Sequence, residues 1–261
     1  MSGCGCDCGA RRSGAFPRRV LHDDLLTTMP CDLLVFAPHP DDAEIHCGAT
    51  IAAHVRRGAR VVLVDATRGE LGSRGTVTER DAEAEAAARI LGVAGRYNLN
   101  LPDGGLMTGD RTQRDALVEA LRRHAPRTVL TISAQARHGD HLALHGLSLA
   151  AIKMAALHRF PSAHPAVPGI RVWCYEAELP AMAPTLLVPA TEADWVVKQA
   201  AIACYGSQLA GRDGLPTTIA TPEFTRWVEA RGRTWGFQAG APYAEAFSGP
   251  EAARIADLRT V

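Results

Sequence analysis

The stretch from Asp32 to Gly69, DLLVFAPHPDDAEIHCGATIAAHVRRGARVVLVDATRG, decides the fold. DLLVFAP is a short apolar run ended by Pro38 and reads as a buried strand. Ala43 to Arg57 follows as a helix closed by Gly58, and Ala59 to Ala66 is a second apolar strand. Outward from this unit the same alternation continues. Glu79 to Leu91 is a strong helix stopped by Gly92, GRYNLNL is a weaker strand, and Thr112 to His124 is a helix ending before Pro126. Thr128 to Ser133 is another strand, followed by helix from His141 to about Leu157. Four strand–helix units in a row predict an α/β, Rossmann-like fold: a mostly parallel sheet with helices on both faces. GIRVWCY and TLLVPA add strands, Thr191 caps a helix running through YGSQL, and a last helix covers about Pro222 to Arg233.

No composition shift or linker interrupts residues 31–261, so one domain is expected there. Residues 1–30 are Gly-, Cys- and Arg-rich and read as a flexible tail. Its thiols, Cys4, Cys6 and Cys8, alternate, whereas structural zinc sites pair cysteines at C-x-x-C spacing. The cysteine count of seven is odd and mostly unclustered, which predicts a reducing, cytoplasmic setting. Hydrophobic residues make up 47% and charged residues 21%, enough for a packed core. Lys plus Arg equals Asp plus Glu at 28 each, and aromatics are 5%. A nucleic-acid or anionic-membrane binder would carry a basic excess, so a small-molecule substrate is expected. No apolar run reaches the roughly 20 residues of a membrane helix.

In an open parallel sheet, ligands bind beyond the carboxyl ends of the strands. The loops there read PHPDD (38–42), TRGELGSRGT (67–76), PDGG (102–105) and RHGDH (137–141). His39, Asp42 and His141 are two imidazoles and a carboxylate, a set suited to zinc or a similar divalent ion. Asp41 adjoins Asp42, so one carboxylate can hold an ion while the other acts on water. His138 lies one turn before His141, and Asp140 can orient one of the imidazoles. Together these predict metal-assisted hydrolysis. A rival ligand pair remains in His141 and His145, one helical turn apart. His46 and His54 read as packed or solvated histidines, and Cys47, Cys174 and Cys204 as core thiols. A nucleotide-binding module is the competing class. It would place G-x-G-x-x-G after the first strand, where this chain has two carboxylates that repel phosphate.

PHPDD with a downstream H-x-D-H resembles the PIG-L/LmbE-like metal-dependent de-N-acetylases. TRGELGSRGT, ERDAEAEAAARILGV, NLNLPDG, YGSQL and TPEFTRWVEARGRTWG look more narrowly like the bacillithiol-pathway deacetylases, which release acetate from N-acetylglucosaminyl malate. The likeness covers about residues 31–247. It implies a Zn2+ (or Fe2+) enzyme with His39, Asp42 and His141 as ligands and Asp41 as general base. It implies His138, with Asp140 beside it, as the group that stabilises the oxyanion. Arg68 would grip the sugar or an acidic aglycone, and Asp103 a sugar hydroxyl. A homo-oligomer, often a hexamer, is implied as well. Within the family, a deacetylase for another glucosaminyl compound and an amidase for low-molecular-weight thiol S-conjugates stay open. The chain departs from the family pattern twice: Gly139 replaces a proline, and WCYEAELPAMAP lacks the histidine found there in malate enzymes.

Overall fold

The computed structural model describes residues 29–177, 182–209, 215 and 217–250. The Cys-rich segment at Cys4 to Cys8 and part of WCYEAELPAMAP lie outside the described residues. The elements in chain order are β1 (Leu33–Ala37), α1 (Asp42–Arg56), β2 (Val61–Asp65), α2 (Val77–Leu91), β3 (Gly95–Asn98), α3 (Arg111–His124) and β4 (Thr128–Ile132). There follow α4 (Gly139–Ala155), β5 (Arg171–Tyr175), β6 (Leu186–Ala190), α5 (Glu192–Ala203), a 3-10 turn at Thr218–Ala220, α6 (Pro222–Ala239) and β7 (Tyr243–Ser248). They form one seven-stranded sheet in the order β3-β2-β1-β4-β5-β7-β6.

β1 to β5 run parallel, and only β7 opposes its neighbours. LLVFA and VVLVD are buried along their whole lengths, which explains why both are continuous apolar runs without alternation. The chain moves outward from β1 to β2 to β3, then returns to place β4 on the other side of β1. Right-handed crossovers turn that reversal into a change of face. Thus α1 packs with α2 and α5, while α3 packs with α4. The loops leaving β1 and β4 therefore depart to opposite faces and open a crevice between them, the usual ligand position in such sheets.

The expected α/β architecture is present, with two differences. α6 runs to Ala239 instead of ending near Arg233, closing on Gly240 at a φ of 65°. The strand YAEAFS has no counterpart among the expected elements: it follows closely on α6 and threads antiparallel between β5 and β6. No helix among the described residues is long and apolar enough to cross a membrane.

His124 closes α3 against the ring of Tyr97, with centroids 4.8 Å apart. Burial lowers its imidazole to about 4, against about 6.5 in an unfolded chain. The unfolded state therefore takes up this proton first, so the contribution is intact above about pH 6.5 and is lost as pH falls towards 4. His124→Gln should flatten the loss of unfolding free energy between pH 7 and pH 5 by on the order of 1 kcal/mol. Urea unfolding at both pH values measures it, and an unchanged slope would show that His124 titrates alike in both states.

Candidate metal centre

The first site loop is a sharp turn. Asp41 has a φ of 120°, a left-handed conformation that costs a non-glycine residue about 1–3 kcal/mol. Three contacts hold it. Arg80 on α2 donates to Asp41 Oδ2 at 2.8 Å, and to the Pro40 carbonyl at 2.7 Å. The Ile45 N–H donates to the Asp41 carbonyl at 2.9 Å, which starts α1. The turn points the neighbouring carboxylates differently: Asp41 to Arg80, Asp42 to the imidazoles.

Asp42 Oδ2 accepts from the His39 N–H at 3.1 Å and stands 3.2 Å from His39 Nδ1 and 3.4 Å from His141 Nε2. Two ligands of one tetrahedral zinc, each 2.0–2.1 Å away, are about 3.3 Å apart. One ligand atom from each of His39, Asp42 and His141 lies within 4.8 Å of the others. The donor set therefore fits a divalent ion in both spacing and chemistry. His39, His138 and Asp140 also converge, but Asp140 is already occupied. Its Oδ2 accepts from the Gly104 N–H at 2.7 Å and lies 3.3 Å from His39 Nε2, and its Oδ1 accepts from the Leu106 N–H at 3.2 Å.

Asp103 Oδ1 also faces His39 Nε2, at 3.1 Å, while its Oδ2 accepts from the Leu71 N–H at 2.8 Å. Both oxygens of Asp103 thus have protein partners, and the residue also lines the site cavity, where a grip on a sugar hydroxyl was expected. Asp140 turns a carboxylate oxygen to His39 Nε2. It reaches His138 through its backbone, whose N–H donates to His138 Nδ1 at 3.2 Å. A neutral His138 therefore carries its proton on Nε2.

The electrostatics follow from burial and these pairings. Burial would lower the His39 imidazole, but Asp103, Asp140 and Asp42 hold it well above its ordinary value. Burial works to raise Asp42, yet His141 and His39 keep it well below the carboxylate range. Asp41 is pushed up to about 7 by burial despite Arg80. His138 is lowered by burial and by the neighbouring His39 and His141. Burial, then Arg231, depress His46 strongly.

His39, Asp41, Asp42, Asp103, His138 and His141 all line one cavity of about 610 Å3, within the range of small-molecule sites. Arg68 does not line it. Its guanidinium is bound to Asp81 on α2, leaving Gly69 at the wall. The rival ligand His145 turns away, with Nδ1 2.9 Å from the Ile132 carbonyl. The sequence reading missed Arg80, Arg137 and the apolar wall of Phe224 and Trp227. Arg137 was findable as the residue before His138; the aromatics come from α6, far along the chain.

α1 itself is broken at Cys47 (φ −139°, ψ 20°). Glu245 of β7 fills the break, accepting from the Ala49 and Thr50 N–H groups at 3.1 and 2.7 Å and from Lys198 Nζ at 2.6 Å. The short first segment, Asp42 to His46, is thereby aimed independently of the rest of the helix.

Residues 34–152 match the family described as PIG-L: GlcNAc-PI de-N-acetylase. The chain is 30% identical over 126 residues to the uncharacterized deacetylase YaiS of Escherichia coli, covering 46% of this chain and 68% of that one. It is 32% identical over 161 residues to the 1D-myo-inositol 2-acetamido-2-deoxy-alpha-D-glucopyranoside deacetylase of Streptomyces griseus, 48% of this chain and 49% of that one. It thus spans about half of that relative's length. Among solved structures, the conserved protein TT1542 of Thermus thermophilus superposes with a TM-score of 0.78 at 38% identity, covering 87% of this chain and 98% of that one. The chain belongs to the PIG-L family of LmbE-like de-N-acetylases.

Glu245→Ala would strip the capped N–H groups of their acceptor and leave Lys198 as a buried unpaired charge. Breaking such a pair costs about 3–5 kcal/mol. Chemical denaturation should show that loss, and a change below about 1 kcal/mol would mean the break in α1 is not held by Glu245.

Proposed function

We propose that this protein is a metal-dependent hydrolase that removes the N-acetyl group from a glucosaminyl conjugate, N-acetylglucosaminyl malate in bacillithiol biosynthesis being the substrate. The observation that carries the reading is the fit of His39, Asp42 and His141 to one ion, with Asp41 and His138 on the same cavity wall. Zn2+ suits the set, and Fe2+ is accepted by the same donors. An ion held there supplies Lewis-acid polarisation of the acyl carbonyl and of water.

The chain's own groups account for the proton traffic. Asp41, raised to about 7 by burial, is poised to accept the proton of the attacking water near neutral pH. Arg80 engages its Oδ2 and keeps the carboxylate from rotating. As water adds to the acetyl carbon, negative charge grows on the carbonyl oxygen, and the His138 Nε2–H is the donor placed to stabilise it. One such donor is worth roughly 3 kcal/mol. When the C–N bond breaks, the amine takes a proton from Asp41 or His138, and acetate leaves. The carboxylates on His39 Nε2 fix that ring's tautomer and direction.

The malate reading rests on the likeness of TRGELGSRGT to that narrower group, and on a permanent cation at the cavity. Because Arg68 does not line the cavity, we assign that role to Arg137, which lines it beside His138. Arg137→Ala should weaken use of the malate conjugate about 10- to 100-fold, the value of a hydrogen bond to a charged group, and use of N-acetylglucosamine much less. Arg68→Ala should change both little, since a half-exposed ion pair contributes at most about 1 kcal/mol. Released amine, quantified for the malate conjugate, N-acetylglucosamine and a bacillithiol S-conjugate, provides the test. Reaction of the S-conjugate alone would replace the substrate reading with an amidase.

Asp41→Asn keeps size and polarity but cannot take the proton, so it should retain metal while turnover falls about 100- to 10,000-fold. Asp42→Ala should lose both, because a ligand is gone. Metal content and rate on the same preparations decide; a metal-free Asp41→Asn protein would reverse the two roles.

A further inference from the structure

His46 sits one helical turn beyond Asp42, in the short segment of α1 ahead of the break at Cys47. Its ring stacks near-parallel on Tyr175, with centroids 6.0 Å apart and planes at 12°. Arg231 of α6 places Nη2 3.3 Å from His46 Nδ1. A guanidinium has only donors, so Nδ1 must accept, and a neutral imidazole then carries its proton on Nε2. That nitrogen faces Asp42 Oδ1 at 3.7 Å. The other oxygen, Oδ2, is the one turned to His39 and His141. Arg231 is itself held in place: it donates to the Ala177 carbonyl at 2.9 Å, lies 3.6 Å from Glu176, and stacks 4.2 Å over Trp227.

We propose that His46 is a positioning residue for the Asp42 carboxylate, and that Arg231 sets it by holding the His46 proton on Nε2. The arrangement divides Asp42 between its two sides, with the His46 Nε2–H turned towards Oδ1 at 3.7 Å, longer than a direct hydrogen bond, and the imidazole pair on Oδ2. It ties the metal centre to α6, which lies outside the family-matched residues 34–152. The inference rests on the reading of Asp42 as a metal ligand.

The full-length, metal-free protein tests the tautomer directly. Two-bond 1H–15N spectra of the histidine rings, with the His46 signal identified by its absence in His46→Phe, should show Nε2 protonated. In Arg231→Met the Nδ1-protonated form should gain population, while Arg231→Lys, which still donates, should keep the native form. Zn2+ affinity, measured by competition with a chromophoric chelator, should fall about 10- to 100-fold in His46→Phe, the usual effect of losing a ligand's orienting partner. His46→Gln, which restores an N–H at similar reach, should recover most of it. Arg231→Met should weaken Zn2+ in the same direction, and the double variant should be no weaker than His46→Phe alone. Nδ1-protonated His46 in the native protein, or native Zn2+ affinity in His46→Phe, overturns the proposal. Asp42→Ala measured alongside separates the two readings. Undiminished Zn2+ affinity there overturns the ligand assignment, whereas loss there with none in His46→Phe overturns only the positioning role.

Discussion

The ion pair between Arg80 and Asp41 is the constraint on which the site depends. A buried aspartate at a φ of 120° is unfavourable twice over, in backbone strain and in desolvation. Arg80 offsets both with one side chain, because its planar fork reaches the carboxylate and the preceding carbonyl together. Without that clamp the turn has no reason to hold Asp41 away from its neighbour. With it, two adjacent carboxylates take different environments, one shifted up by burial and the other held down by imidazoles. Such divergence between neighbouring acids is how a single loop can supply both an ion ligand and a base.

A second layer of carboxylates extends the same logic across the sheet. Asp103 and Asp140 meet on His39 Nε2, and each directs its remaining acceptor capacity to backbone N–H groups of the loops after β2 and β3. The loops after β1, β2, β3 and β4 are thus tied to one imidazole. Buried charges are tolerated only when paired and hydrogen-bonded, so the network orders the loops as it orders His39. Nearby, Arg96 joins Asp65 and Glu44 beneath α1, with the Tyr205 hydroxyl donating to Glu44 at 3.1 Å. That buried set supports the helix carrying Asp42 without reaching the cavity.

The last third of the chain returns to complete the centre. α6 supplies Phe224 and Trp227 as an apolar wall and Arg231 as a fixed cation, and β7 supplies Glu245 inside the break of α1. Helix α6 can approach so closely because Gly232 faces Trp195 and Gly236 faces the backbone at 241–243; a Cβ at either would fall within 3 Å of those atoms. The family-matched segment brings the donors, and the later elements set their aim and the shape of the space before them.

Much of this was legible in the residues alone. Buried parallel strands are continuous apolar runs, so β1, β2 and β4 and the helices between them could be read from the pattern, and the polar loops after the first four strands located the site. The types and spacing in PHPDD and H-x-D-H named the imidazoles and carboxylates that converge, since chemistry restricts which side chains hold an ion. What the residues could not show was pairing across distance. Arg68 and Arg137 look alike on the page, and only packing put the first on Asp81 and the second at the cavity. Asp103 and Asp140 read as groups for substrate or for His138, yet in space both face His39 Nε2 and accept from backbone N–H groups of distant loops. β7 was missed because a short strand beside a helix carries little periodic signal, and with it went Glu245. Sequence restricts local conformation and chemical repertoire; which charge neutralises which is decided by burial, where the tertiary fold determines which partners lie within reach.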